Sequence, residues 1–313
     1  MESYFSVESP AFVAIRAVLS ICSIGLLGAF ALRWAVVARY VGPDAEAVRA
    51  AVDERLPRWI HWLGITAVAA SVARLIAQHA AVFGTDVALT RDAVATLLFR
   101  SGWGKAWWVA TLAAVTITWI APRLRPRSGV AWVAAAPVTL LFVASQPWSG
   151  HPAAAEVPWL ATSIQLLHLI GAGGWLGSLA LLTVLAIPAA RRLDAAETGA
   201  VDARIAGLVR AFSPTALAFA ALLATTGTVT SWRHLGGLLP LWQSSYGRTL
   251  LLKLGFLSIV LAAGVYNWRR VRPALGEPHA TVRLRRSSLV ELTAAFLVVV
   301  VTAVLVASPM PGE

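Results

Sequence analysis

The sequence predicts an all-α polytopic membrane protein, a bundle of eight transmembrane helices with both termini outside. Three observations carry this. Of 313 residues, 58% are hydrophobic and 13% are charged, a balance outside the range of soluble domains. Eight separate stretches are apolar over about 20 residues, the length a helix needs to cross a hydrocarbon core of about 30 Å. The arginines gather in alternate connections between those stretches, the positive-inside pattern of a chain threaded through a bilayer.

The first stretch is 11–37. The residues before it, MESYFSVESP, hold two acids and no basic run, so this stretch is expected to stay as a span and not leave as a signal peptide. Within it lies Cys22, the sole cysteine, which excludes an internal disulfide and a thiolate pair for metal. The connection 38–58 mixes acids and bases and reads as a short surface helix. Spans two, three and four follow at 59–83, 103–121 and 129–146. Span five is 158–187, and the last three are 212–233, 247–268 and 288–308. None alternates polar and apolar residues as a barrel strand does, and in lipid only a helix or a closed barrel satisfies its backbone. No soluble domain, repeat or low-complexity segment interrupts them, and 1–313 reads as one integral membrane domain.

Orientation comes from Arg39, Arg49, Arg55 and Arg58 in the first connection and from PRLRPR in the third. Arg191, Arg192, Arg204 and Arg210 mark the fifth connection, and Arg269, Arg270, Arg272, Arg283, Arg285 and Arg286 the seventh. The intervening connections hold Arg91 and Arg100, with none in PWSGHPAAAEVP or HLGGLLPLWQSSYG. Both termini are therefore expected outside. The net charge of +11 is loop bias facing a lipid bilayer, not a nucleic-acid footprint.

Ionisable groups inside spans cost about 2.5–3.5 kcal/mol at the centre, so each needs a partner or a purpose. The outward-running second span places His61 at its inner edge, Arg74 in its outer half and His79 near its outer edge, while His279 falls on the inner side. His151 and Glu156 lie in the outer loop before span five, and His234 at the outer end of span six. His168, ten residues into span five, is about 15 Å deep. His168, Gly171, Trp175 and Ser178 share one face by spacing, and Gly171, Gly173, Gly174 and Gly177 give a neighbouring helix or a flat ligand room to approach. His79 and His234, close to the interface, read as solvated residues. Arg16, Arg74 and Lys253 read as snorkelling or carbonyl-paired, and Glu291 as a partner of the preceding arginine-rich loop.

GHPAA, LLHLIGAGGWLGSLALL, SSYGRTLLLKLGFLSIVLAAGVYNWRRVRPAL and LRRSSLVELTAAFLVVVVTAVLV occur in that order. Together they resemble the copper resistance protein D (CopD) family, most strongly over 140–308. The resemblance implies a non-enzymatic inner-membrane protein of bacterial copper handling, commonly paired with a small periplasmic copper-binding protein and passing copper ions into the cytoplasm. It makes His151 and His168 the candidate metal ligands, with His79, His234 and Glu156 as secondary candidates. Trp175, Tyr246, Lys253, Asn267 and Glu291 are further matching positions, without assigned roles. Imidazole suits copper, whereas soft ligands are scarce: two methionines, Met1 and Met310, and Cys22. Asp86 and Asp92 are further outer-loop carboxylates.

Two other readings stand beside transport. A midplane histidine next to glycines and an aromatic is also how a bundle holds haem b, which would make the chain a membrane redox protein. The third reading is a non-transporting docking partner or sensor for a periplasmic copper carrier.

Overall fold

A computed structural model of the chain describes residues 9–42, 44–85, 87–125, 129–193, 199–271, 273–274 and 280–307. Among them every regular element is helical. The main elements are α1 (Pro10–Arg39), α2 (Ala45–Phe83), α3 (Arg91–Arg100), α4 (Gly102–Ile120) and α5 (Gly129–Trp148). They continue with α6 (Pro158–Arg191), α7 (Ala200–Leu235), α8 (Pro240–Gln243), α9 (Ser245–Val271) and α10 (Ala280–Ala307). Seven of these, α1, α2, α5, α6, α7, α9 and α10, contain a stretch long and apolar enough to cross a membrane. The expected third span is a 19-residue helix, α4, that does not count among the seven. Lys105 and the tryptophans at 103, 107, 108 and 119 dilute its apolar character. It nevertheless packs between α2 and α5.

The connection 38–58 does not form a separate surface helix. Instead α2 runs unbroken for 39 residues, roughly 58 Å at 1.5 Å per residue, so one end must extend past a hydrocarbon core of about 30 Å. Arg33 of α1 bonds Asp53 of α2 at 3.0 and 3.1 Å and stacks 4.4 Å from the Trp132 ring of α5. Arg204 of α7 bonds Asp44, just before α2, at 2.8 Å through Nε. These two ion pairs fasten α1, α2 and α7 at one end of the bundle.

Four arginines place their guanidinium groups on the carbonyls of helix C-termini, where the backbone lacks donors and the macrodipole is negative. Arg49 reaches Val37, Ala38 and Tyr40 at the end of α1. Arg204 reaches Ala190 and Leu193 at the end of α6, and Arg16 reaches Val306 in the last turn of α10. Arg74 bonds the Ser149 hydroxyl and carbonyl just beyond α5 at 2.9 and 2.8 Å.

Helix α6 is the central element. It buries 72% of its most apolar window, against 11% for α9. Its glycines explain this. A Cβ on Gly177 would lie 2.1 Å from the Ile24 carbonyl oxygen of α1, and one on Gly28 of α1 would lie 2.3 Å from the Gly177 backbone. Gly173 faces Leu27 of α1, while Gly171 and Gly174 face Leu223 and Phe219 of α7. Backbone contact this close is available only without side chains, and α6 is thereby held between α1 and α7. All four glycine faces are filled by helices, so no slot remains beside them for a flat macrocycle such as haem.

Helix α9 buries a narrow stripe. Tyr246, Lys253, Val260 and Asn267 recur at intervals of seven residues and share one face. Tyr246 and Val260 are buried and Lys253 and Asn267 half-buried, while Leu252, Leu254, Ile259, Leu261 and Val265 are exposed. That stripe packs chiefly on α10, which in turn packs on α1.

Candidate functional site

His168 is the one ionisable group of α6 between Pro158 and Ala172. Ten residues from the helix start, it lies about 15 Å along the axis, half-buried and turned toward α7. Its Nδ1 is 3.1 Å from Thr226 Oγ1. The Thr226 hydroxyl donates its own proton to the Leu222 carbonyl at 2.7 Å, so toward the imidazole it acts as acceptor. The ring therefore carries its proton on Nδ1, a tautomer assigned from this network. Nε2 then keeps its lone pair, the form in which imidazole ligates metal, with Thr226 orienting the ring from behind. Gly227 permits the approach: a Cβ there would be 3.2 Å from His168 Cε1. Lys253 of α9 lies within electrostatic range of the ring and opposes a cation arriving there.

The expected single face through His168, Gly171, Trp175 and Ser178 is broken. Gly173–Gly177 forms a π-turn, whose i→i+5 bonding adds a residue to the turn and shifts the phase of everything after it. Trp175 is buried in the main core, and Ser178 spends its hydroxyl on the Trp175 and Gly174 carbonyls of its own helix. Neither is brought to His168.

The loop before α6 is a 3₁₀ turn, His151–Ala154, directly after the Arg74-bound Ser149. Glu156 is exposed in the same loop. The side chain of His151, and all of Asp86 and His279, lie outside the described residues. Among the described residues no three of His, Cys, Asp and Glu gather as a metal-holding group.

The secondary candidates differ from expectation. His79 is not solvated: it is 2% exposed, its ring tilted against Phe83 with centroids 5.1 Å apart, and its Nε2 has no hydrogen-bond partner among the described residues. The C-terminal half of α2, which carries it, packs against α3 and α4. His234 is half-buried, its Nδ1 2.7 Å from the Tyr246 hydroxyl, in a small cluster with Leu235, Leu241, Leu250 and Leu305. This pair latches α7 to α9. At the other end of α9, Asn267 donates to Glu291 at 3.1 Å and accepts from Ser287. The carboxylate of Glu291, 3% exposed, is thus held by an amide; none of the ion pairs seen among the described residues joins it to an arginine. His61 bonds the Thr118 carbonyl of α4 at 3.0 Å.

Sequence reasoning missed Thr226. It sits in TTGTVT, where Thr225, Thr226 and Thr228 each bond the carbonyl four residues back, and only the fold separates buried Thr226 from its exposed neighbours.

Residues 206–305 match the family model described as copper resistance protein D. Residues 6–159 match the one described as copper resistance protein D-like, N-terminal domain. The first helices thus carry a match that the sequence motifs marked only weakly. His151 falls inside the second match, whereas His168 and Trp175 fall between the two. A curated relative, the copper transport protein CutJ of Bacillus subtilis (strain 168), is 25% identical over 222 residues, 69% of this chain and 38% of that protein. The chain therefore spans well under half the length of that relative. No solved structure matches.

Proposed function

Since the chain belongs to the copper resistance protein D family, we propose that it is a multi-pass inner-membrane protein that imports copper ions through a histidine site in its bundle. Copper is cargo in this reading, and no catalytic step is assigned. The observation that carries it is His168: a deep imidazole whose Nδ1 is engaged by Thr226, leaving Nε2 to ligate. His151, in the loop that Arg74 fastens, is the outer ligand from which the ion passes to His168. With one cysteine and two methionines in the whole chain, the donors are nitrogen, joined by Glu156 at the mouth. Lys253 keeps the deep position weakly binding, as a transit site requires.

The membrane arrangement belongs to the same proposal. Helix α4 serves as an eighth span, and both termini face the periplasm. The arginine-rich connections and the Arg33–Asp53 and Arg204–Asp44 pairs support a cytoplasmic placement of that end. A small periplasmic copper-binding protein would deliver the ion to the outer loops.

Cellular copper provides the test. At equal protein level, cells expressing the wild-type chain accumulate more copper than cells expressing His168→Ala or His151→Ala. Unchanged accumulation in both variants would remove the assigned site.

A further inference from the structure

The ends of α1 and α7 form an open cavity of about 300 Å³ lined by Arg39, Val41, Gly207, Arg210, Ala211 and Pro214. Gly207 in this lining is backed by Tyr40, fully buried, which packs on it so closely that a Cβ there would be 2.3 Å from the ring. Behind it, Arg204 is consumed by Asp44 and by the α6 carbonyls, and Arg49 by those of α1. Arg39 and Arg210 differ. Both are exposed, and among the described residues neither side chain has a hydrogen bond or ion pair. Burial raises the Tyr40 phenol above its usual value, so it stays neutral and leaves their charge uncompensated.

Pro214, lacking an N–H, leaves the Arg210 carbonyl without its helical donor, which adds an acceptor at the rim. Beyond the cavity, Pro214, Leu217 and Ala221 continue from Arg210 along one exposed face of α7. Two unpaired cations thus meet an apolar track at the end of a membrane span, where α1's apolar stretch stops at Arg39.

We propose that this cavity is a binding site for the phosphate headgroup of an anionic phospholipid, held by Arg39 and Arg210, with acyl chains along the Pro214–Leu217–Ala221 face of α7. The Arg210 carbonyl accepts from a headgroup hydroxyl. Basic cavities between spans recognise such headgroups through point charges near the membrane surface, and arginine suits phosphate by bidentate geometry.

The test measures binding of fluorescent phosphatidylglycerol and phosphatidylcholine to the detergent-purified full chain. Wild type is expected to prefer phosphatidylglycerol, and Arg39→Gln/Arg210→Gln to lose about tenfold to thirtyfold of that affinity. Neutralising exposed Arg191, outside the cavity, should leave the preference intact. If the double variant does not fold, the wild-type preference and its loss in each single variant decide the matter. Absence of any preference in wild type, or its persistence without both arginines, overturns the site. Displacement of the lipid by equimolar inorganic phosphate overturns the lipid assignment in favour of a free-phosphate site.

Discussion

At the scale of single residues, His168 and Thr226 act as one unit. Thr226→Val keeps the shape of the side chain but removes the oxygen that holds Nδ1. Loss of such an orienting partner lowers metal affinity by about 10–100-fold. Copper titration of the purified variant should show that loss with the helical signal unchanged; unaltered affinity would mean the ring needs no orientation. Lys253 has the opposite expected sign. Lys253→Gln removes a repelling charge within range of His168 and should strengthen copper retention several-fold, whereas weaker retention would make the lysine a partner of the ion. Protons compete with copper for imidazole, so copper should be released on acidification and retained again on neutralisation. Retention that survives full acidification at unchanged helical signal would point to ligands other than histidine. His168 was legible as an ionisable residue in an apolar run. Thr226 was not, since bonding to its own helix makes all the threonines around it look alike.

At the scale of elements, glycine and arginine do different work. The α1–α6 contact at Gly28 and Gly177 leaves no space for a methyl group, and overpacking of this kind typically costs about 1–3 kcal/mol. Gly177→Ala should therefore lower the thermal midpoint of the purified protein; an unchanged midpoint would show that the helices slide apart freely. Arg74 is a cap. Arg74→Ala strips the Ser149 hydroxyl and carbonyl of their donors at the end of α5, at about 1–3 kcal/mol, and should make the His151 loop cleavable by added protease. The run GAGGWLG showed in sequence that something approaches α6 closely. Which neighbour it is, α1 on one side and α7 on the other, depends on contacts distant in the chain, such as Gly28 with Gly177 and Gly171 with Leu223. The π-turn at Gly173–Gly177 was hidden for a related reason: an extra residue in a turn leaves apolar periodicity almost unchanged while displacing Trp175 from the histidine face.

At the scale of the whole molecule, apolar length was enough to place nearly every helix, because it is a local property that lipid selects directly. The exceptions have physical causes. Helix α2 continues past its apolar stretch into a polar segment, and α4 carries Lys105 and four tryptophans yet lies between α2 and α5. Reporter domains fused after Arg192 and after Gly236 should report opposite sides of the membrane, the latter outside; the same side for both would contradict the eight-span threading. The family match points to copper handling, and the proposed function centres on one imidazole. The most direct measurement is therefore the copper-to-protein ratio of purified wild-type and His168→Ala protein after identical loading and desalting. The proposed mechanism predicts copper retained by wild type and lost from the variant at equal helical content. Equal retention by both would contradict it.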